Sequence, residues 1–283
     1  MITLSIDVGA TKTHFGLLDG FKVTRDWSAL TYAKRTKGEV IKNLLVNTRQ
    51  FLGADLKKVE VINIAWAGEV VADKGIVRSA SNFNNFKNVE LGKIIKAELR
   101  RPVTLENDAK CFAIAESILG RGKNFSLVLG LTIGTGIGAG LVIDKKLFRG
   151  RDNLAGEAGH ALFSLTWPKD LPTRKCGCPV GSHWEALASG PAWSLLEKNY
   201  RAGRADEIIA NNLARGIASL ITIYNPHIVV IGGGLANRST LFNRLRKKVR
   251  DYLPYEVLKS TPLVKPLLGD KAILIGAKLA GRG

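Results

Sequence analysis

The sequence predicts an α/β fold built from two similar halves, and three observations carry that prediction. Close to the start, and again near residue 127, an apolar strand runs into a glycine-bearing turn and returns as a second strand. Each opening is followed by further helical and extended patterns, with no linker or low-complexity segment interrupting the chain. The 283 residues are 46% hydrophobic, enough to bury a large core in one or two domains.

Ile2, Leu4 and Ile6 alternate with Thr3 and Ser5, the two-residue period of a strand, and Gly9-Ala10-Thr11-Lys12 turns it into a second strand over 13–18. Over 39–52, Val40, Leu44, Leu45, Thr48 and Phe51 share one helical face. An apolar strand spans 59–66, a helix 91–99 and a short strand 103–105. Asn107 and Asp108 stand where a helix begins that runs through Ala109, Phe112, Ala113 and Ala115 to Leu119; Cys111 lies on its apolar face and is expected in the core. The pattern restarts at Ser126, with a strand over 127–133, a turn from Gly134 to Gly140 and a return through Leu141-Val142-Ile143. Helices follow at about 192–200 and 206–224, then a strand over 228–231 ending in Gly232-Gly233-Gly234, then helices near 240–252 and 270–280. The expected division is an N-terminal α/β lobe over 1–107, completed by the C-terminal helix 270–283, and a larger lobe over 108–269.

Composition excludes several classes. The start lacks a basic segment followed by an apolar one, and no run approaches the ~18 apolar residues of a membrane span. A cytoplasmic protein without a membrane partner is expected. Three cysteines, two of them in Cys-x-Cys, do not make a disulfide framework and fit a reducing compartment. The net charge of +18 could serve nucleic acid or attract an anionic nucleotide, but the basic residues are spread along the chain, so a solvated surface is the reading and no nucleic-acid partner is expected.

The glycine turns suggest phosphate chemistry. A polyphosphate needs exposed N–H groups, few Cβ atoms in the way and a cation. Asp7, Gly9, Thr11 and Lys12 supply an acidic group for Mg²⁺ or its waters, a tight turn, a hydroxyl and an ammonium; Gly134, Thr135 and Gly136 supply an opposing turn. Each turn alone is weak evidence, since glycine hairpins are common. At equivalent places in two similar halves they are far more specific, because a β,γ-phosphate can be gripped from both sides. Gly232, Gly233 and Gly234 after a strand let a base approach the backbone, or form a plain strand–helix turn.

A second cluster lies between 157 and 185. His160, Cys176, Cys178 and His183 would complete a tetrahedral Cys2His2 zinc shell that does not need Glu157 and Glu185, two carboxylates suited to accept hydrogen bonds from a polyhydroxylated ligand. With every position filled by protein, the Zn²⁺ would be structural. The alternative is two reduced cysteines in a loop held by packing.

Together these motifs resemble the ROK family (repressors, open reading frames, kinases) of the sugar kinase–heat-shock–actin superfamily, from Asp7 to about Ala280. Asp7-x-Gly9-x-Thr11-Lys12 resembles the first phosphate motif, Gly134 to Gly138 the second and Ile231 to Gly234 the adenosine motif. Glu106-Asn107-Asp108-Ala109 resembles the catalytic segment, Ser81-Asn82-Phe83 a sugar-contacting loop, and Glu157 to His160 with Cys176 to Glu185 the sugar and zinc motif. Three departures stand out: Ala10 replaces a usual glycine, the stretch between His160 and Cys176 is longer and could alter the rim of the sugar pocket, and His183 replaces a cysteine. The resemblance implies a two-lobed actin-like ATPase fold of duplicated ribonuclease H-like domains with an interlobe cleft, and a homodimer.

It also implies transfer of the ATP γ-phosphoryl to a sugar hydroxyl, a reaction governed by alignment and charge stabilisation. Asp108 is then the expected base, kept ionised by the helix dipole, although Asn107-Asp108 without the other motifs reads more readily as a helix cap. Asn82, Asn107, Asp108, Glu157, His160 and Glu185 are the expected sugar binders, since directional groups left unpaired by a missing hydroxyl discriminate strongly. His160 would place one ring nitrogen on zinc and the other toward the sugar. Glucose is the expected acceptor at a primary hydroxyl; an N-acetylhexosamine or fructose kinase, or a sugar-responsive transcriptional regulator, are the alternatives.

Overall fold

The computed structural model describes residues 1–176, 178, 180–201 and 203–281. The chain divides into two units: unit 1 comprises Met1–Ala115, Lys146–Ala155 and Leu268–Gly283, and unit 2 comprises Glu116–Lys145 and Gly156–Leu267.

Unit 1 is organised by strands β1 (Ile2–Val8), β2 (Lys12–Asp19), β3 (Lys22–Leu30), β4 (Val61–Trp66) and β5 (Val103–Asn107), in the order β3-β2-β1-β4-β5. β1 and β2 form the antiparallel hairpin read from the alternation, with Asp7 opposite His14 and Val8 opposite Thr13. β4 and β5 add in parallel, with Val8 beside Trp66 and Trp66 beside Asn107, so three strands finish on one level. Helix α1 (Lys37–Leu52) starts at a capping box: Glu39 donates its N–H to Thr36 Oγ1 at 3.3 Å, and Glu39 Oε2 accepts from the Thr36 N–H at 3.0 Å. It buries Val40, Leu44, Leu45 and Thr48, four of the five residues expected on one face. Helix α2 (Leu91–Leu99) has the bounds that the sequence predicts, and α3 (Asp108–Ile118) leaves directly from β5. Cys111 is fully buried, as expected. A small sheet of Glu69–Val71, Ile76–Ser79 and Lys87–Val89 adds to this unit, and α8 (Ala272–Ala280) contributes Leu274, Ile275 and Ala277 to its buried residues.

Unit 2 repeats the theme. β6 (Leu127–Ile133) and β7 (Ile137–Ile143) form an antiparallel hairpin, β8 (Ile228–Gly232) runs parallel to β6, and β9 (Leu263–Val264) parallel to β8. β7 begins four residues earlier than expected. Gly138 and Gly140, which read as turn, pair with Thr132 and Gly130, leaving a turn of only Gly134 to Gly136. Helices α4 (Trp184–Ala188), α5 (Gly190–Asn199), α6 (Arg204–Tyr224) and α7 (Ser239–Asp251) surround this sheet. α6 buries thirteen residues, among them Ile209, Leu213, Ile217 and Ile221. α7 buries Leu241, Phe242, Leu245 and Val249 at i, i+1, i+4 and i+8, one apolar stripe. Among the described residues, no helix is long and apolar enough to cross a membrane.

Candidate functional site

In unit 1 the three parallel strands deliver the candidate residues to one end of the sheet, the carboxyl end at which ligands bind open α/β sheets. The turn after β1 is closed by the Gly9 N–H donating to Lys12 O at 3.1 Å and is tied to the end of β3 by the Thr31 N–H donating to Thr11 O at 3.1 Å. Asp7 points from this end of β1. Desolvation, then the neighbouring charge of Asp108, push its carboxyl up to about 8, against the opposing pull of Lys12. Asp7 and Asp108 therefore feel one another across the end of the sheet. Asn82 is placed at the same level by its neighbour: Phe83 is buried and packs on Trp66, the last residue of β4, with ring centroids 4.8 Å apart.

The Asn107-Asp108 pair is held from several sides. Asn107 Nδ2 donates to Gly68 O at 3.1 Å, and its Oδ1 accepts from the Lys110 N–H at 3.1 Å, which caps α3. Asp108 Oδ1 accepts from the Ala109 N–H at 2.8 Å. The capping bond thus falls on Asn107, which accepts from the i+3 N–H, while Asp108 engages the next residue. Glu106, one step earlier, is 3% exposed and accepts from Arg149 Nε at 2.9 Å. Sequence reasoning quotes Glu106 only as part of a motif and passes over Lys110, Arg149 and Asn153. The available signal was a charged residue inside an apolar pattern: Lys110 lies on α3 between buried Ala109 and Cys111 and is only 1% exposed.

In unit 2 the Gly134–Gly136 turn is closed by the Gly134 N–H donating to Gly136 O at 3.0 Å and backed by the Gly190 N–H donating to Gly134 O at 2.8 Å. The triple glycine ends at the same edge, since Gly232 pairs with Thr132. Gly233 holds φ 90°, and a Cβ there would lie 2.5 Å from Ile133 O, so only glycine lets this loop close on the end of β6. Both of the unit's expected nucleotide motifs therefore meet at the carboxyl ends of β6 and β8.

Glu185 is set against the same hairpin. The preceding Trp184 is fully buried, edge-on to Phe163 at 5.3 Å, and donates from Nε1 to Asn212 O at 3.0 Å, which anchors α4. Glu185 Oε2 then accepts from the Ile137 N–H at 3.2 Å. Gly159 lies between this carboxylate and the backbone that carries Glu157 and His160; a Cβ at Gly159 would fall 3.3 Å from Glu185 Oε2 and overlap Ile137 O. The Gly156–His160 segment is fixed by the Ala139 N–H donating to Gly156 O at 3.2 Å and the His160 N–H donating to Glu157 O at 3.1 Å. Glu157, His160 and Glu185 thus gather around one glycine.

The four expected metal ligands also converge. One ligand atom from each of His160, Cys176, Cys178 and His183 lies within 4.8 Å of every other. His183 Nδ1 is 3.2 Å from Cys176 Sγ and 3.1 Å from Cys178 Sγ, and 3.5 Å from His160 Nδ1. Tetrahedral sites with Zn–N and Zn–S bonds of the usual length have ligand–ligand edges of roughly 3.3–3.8 Å; the donor set fits zinc in type, and its separations, from 2.9 Å between the two Sγ atoms to 4.8 Å at most, fall on both sides of that range. Both histidines offer Nδ1, which leaves His160 Nε2 on the other side of its ring. Desolvation raises the Cys178 thiol, but hydrogen bonds from Cys176 and the Gly181 and Val180 N–H groups, with His183, outweigh it and bring the group to about 6. Burial and the Cys178 hydrogen bond push Cys176 the other way. Residues 177 and 179, one of them inside the Cys176-Gly177-Cys178 motif, lie outside the described residues.

The longer stretch after His160 is pinned to α6. The Thr166 N–H donates to Asn212 Oδ1 at 2.9 Å, Asn212 Nδ2 donates to Thr166 O at 2.8 Å, and Arg215 Nη1 donates to Ser164 O at 2.7 Å.

Comparison with known proteins accounts for this arrangement. The profile of the ROK family matches residues 3–202 and 193–280. A glucokinase of Thermotoga maritima is 31% identical over 98% of this chain and 96% of its own length. An N-acetyl-D-glucosamine kinase of Photobacterium profundum is 32% identical, with 96% of each chain covered. A ROK family glucokinase from Streptomyces griseus, solved in complex with glucose and AMPPNP, superposes with a TM-score of 0.84 at 25% identity, covering 100% of both chains. The architecture is that of the actin-like ATPases, a duplicated α/β fold, and with so complete a match in sequence and structure, the chain belongs to the ROK family.

Proposed function

We propose that the protein transfers the γ-phosphoryl group of ATP to a primary hydroxyl of glucose, with Asp108 as general base. The protein is an ATP-dependent sugar kinase; glucose and the residue roles are the narrower reading. One observation carries it: parallel strands bring Asp7 and the Asn107-Asp108 pair to one end of a sheet, where burial first and then the charge of Asp108 raise the Asp7 carboxyl to about 8. A dication beside Asp7 would return that carboxyl to its charged form, which suits Mg²⁺ or its waters.

In this reading Gly9, Thr11 and Lys12, with Gly134, Thr135 and Gly136, contact the phosphates through N–H groups, a hydroxyl and an ammonium. Gly232, Gly233 and Gly234 leave room for the adenosine. Asn82, Asn107, Asp108, Glu157, His160 and Glu185 bind sugar hydroxyls. Asp108 takes the hydroxyl proton as the new P–O bond forms and the bond to ADP breaks; in a loose transition state that transfer comes late, so a modest base suffices. His160, Cys176, Cys178 and His183 hold a structural Zn²⁺, which fixes the segment leading into α4, the helix that carries Glu185. The setting that goes with this is a cytoplasmic homodimer.

A second acceptor has specific support, since the relative from Photobacterium profundum is an N-acetyl-D-glucosamine kinase. The two sugars differ only at C2. ADP release measured across glucose, N-acetylglucosamine, N-acetylmannosamine and fructose decides between them: glucose is expected to give the highest kcat/KM. A tenfold advantage for an N-acetylated sugar would replace glucose as the acceptor.

A further inference from the structure

The segment Lys146–Ala155 belongs to unit 1 although the chain on either side of it belongs to unit 2. It supplies none of the groups assigned above, yet it ends on the residue next to Asn107. Glu106 Oε2 accepts from Arg149 Nε at 2.9 Å, and Oε1 accepts from Asn153 Nδ2 at 3.1 Å and from the Asn107 N–H at 2.9 Å. Asn153 Nδ2 donates a second time, to Val70 O at 2.8 Å. Both partners of that nitrogen are acceptors, so the amide has one possible orientation. The backbone carbonyl of Asn153 accepts from Lys110 Nζ. Asn153 itself sits at φ 61°, a left-handed conformation that asparagine tolerates better than most residues. A carboxylate at 3% exposure would be costly without these donors, so they determine where Glu106 sits.

The consequence falls on the two residues that follow. Glu106 holds the Asn107 N–H, and Lys110 is fastened on the far side of Asp108, at the first turn of α3. We propose that Asn153 is a positioning residue for phosphoryl transfer: by bonding Glu106 through its amide and Lys110 through its carbonyl, it brackets Asn107-Asp108 and sets the reach of the Asp108 carboxylate toward the acceptor hydroxyl. The proposal rests on Asp108 being the base. Because Asn153 acts through another residue, its loss belongs in kcat and not in nucleotide affinity.

A double-mutant cycle tests it. Asn153→Gly keeps the left-handed backbone accessible and removes both amide hydrogen bonds, whereas Asn153→Ala adds backbone strain to the same loss. With glucose as acceptor, kcat of Asn153→Gly is expected to fall about 10–50-fold, with the KM for ATP changed less than about twofold. Added to Asp108→Asn, the same substitution should change kcat by less than about twofold, since the group it positions is already gone. An equal loss in both backgrounds would reveal a merely structural role and overturn the proposal. So would an unimpaired Asn153→Gly beside a crippled Asp108→Asn, which leaves the base assignment standing. Full turnover by Asp108→Asn overturns the base assignment and this proposal with it. If Asn153→Gly does not fold, Arg149→Lys carries the same cycle: it keeps the charge on Glu106 but not the guanidinium geometry, and a kcat loss that persists undiminished beside Asp108→Asn counts against positioning.

Discussion

The two units place their candidate residues by different physical means. In unit 1 the Asn107-Asp108 pair is held by hydrogen bonds: Glu106 is tied to Arg149 and to the Asn107 N–H, Asn107 to Gly68 O and the Lys110 N–H, and Asp108 to the Ala109 N–H. In unit 2, Glu185 sits on the helix that follows His183, and the two sulfur and two nitrogen atoms of His160, Cys176, Cys178 and His183 are crowded within 4.8 Å of one another, all electron-rich. Such a cluster is stable where a cation lies between its members and is strained where none does. Hydrogen bonds preorganise the first site, and the proposed Zn²⁺ would do the same for the second. Without nucleotide or Mg²⁺, a zinc chelator should therefore leave unit 1 unaltered and loosen unit 2.

The sharpest way to break the comparison is to remove a group from the preorganised side. Asp108→Asn should lower steady-state ADP release by about 10²–10⁴-fold while leaving the melting temperature within a few degrees, because a base is lost and the N-terminal hydrogen bonding of α3 is kept. On the metal side, Cys178→Ser should abolish bound zinc by elemental analysis and raise the KM for glucose about tenfold or more, as His160 and the start of α4, which carries Glu185, lose their pin. Zinc retained at one equivalent per chain would show that the thiol is not a ligand.

Smaller in effect is Gly233→Ala. A Cβ 2.5 Å from Ile133 O at φ 90° should displace the loop, raise the KM for ATP about fivefold and leave the KM for glucose alone. An unchanged KM for ATP would remove this loop from nucleotide binding.

How far this comparison could be read from the sequence depends on burial. Strands β1 and β6 were legible because each has one alternating or wholly apolar pattern, and α2 because its apolar face is clean and it starts and stops between polar residues. β3 was not expected. It lies at the sheet edge, and Thr24, Arg25, Asp26 and Trp27 are all exposed, so no period-two signal survives. The start of β7 was misread because Gly138 and Gly140 look like turn residues until their pairing with β6 is seen. The candidate ligands were legible because cysteine, histidine and glycine at short spacing have few other uses. Arg149 and Asn153 were not, since their roles depend on Glu106, more than forty residues away.

A finer effect concerns pH. The folded Asp7 carboxyl at about 8 lies above its unfolded value of 3.8, so the folded state holds a proton that the unfolded state has released. Stability should therefore fall as pH rises from about 4 to 8, and Asp7→Asn should flatten that slope in chemical denaturation without nucleotide. A slope of the same size in the variant would assign it to another residue. Mg²⁺ should suppress it in the parent protein if Asp7 faces the cation.

The central claim is that Asp108 acts in the chemical step and not in holding the sugar. Rapid-quench measurement of γ-phosphoryl transfer in a single turnover, with glucose and Mg·ATP prebound, isolates that step. The account predicts a transfer rate at least about a hundredfold slower for Asp108→Asn, with the Kd for glucose within about threefold of the parent protein. A transfer rate equal to the parent's, with the whole defect in glucose affinity, would contradict it.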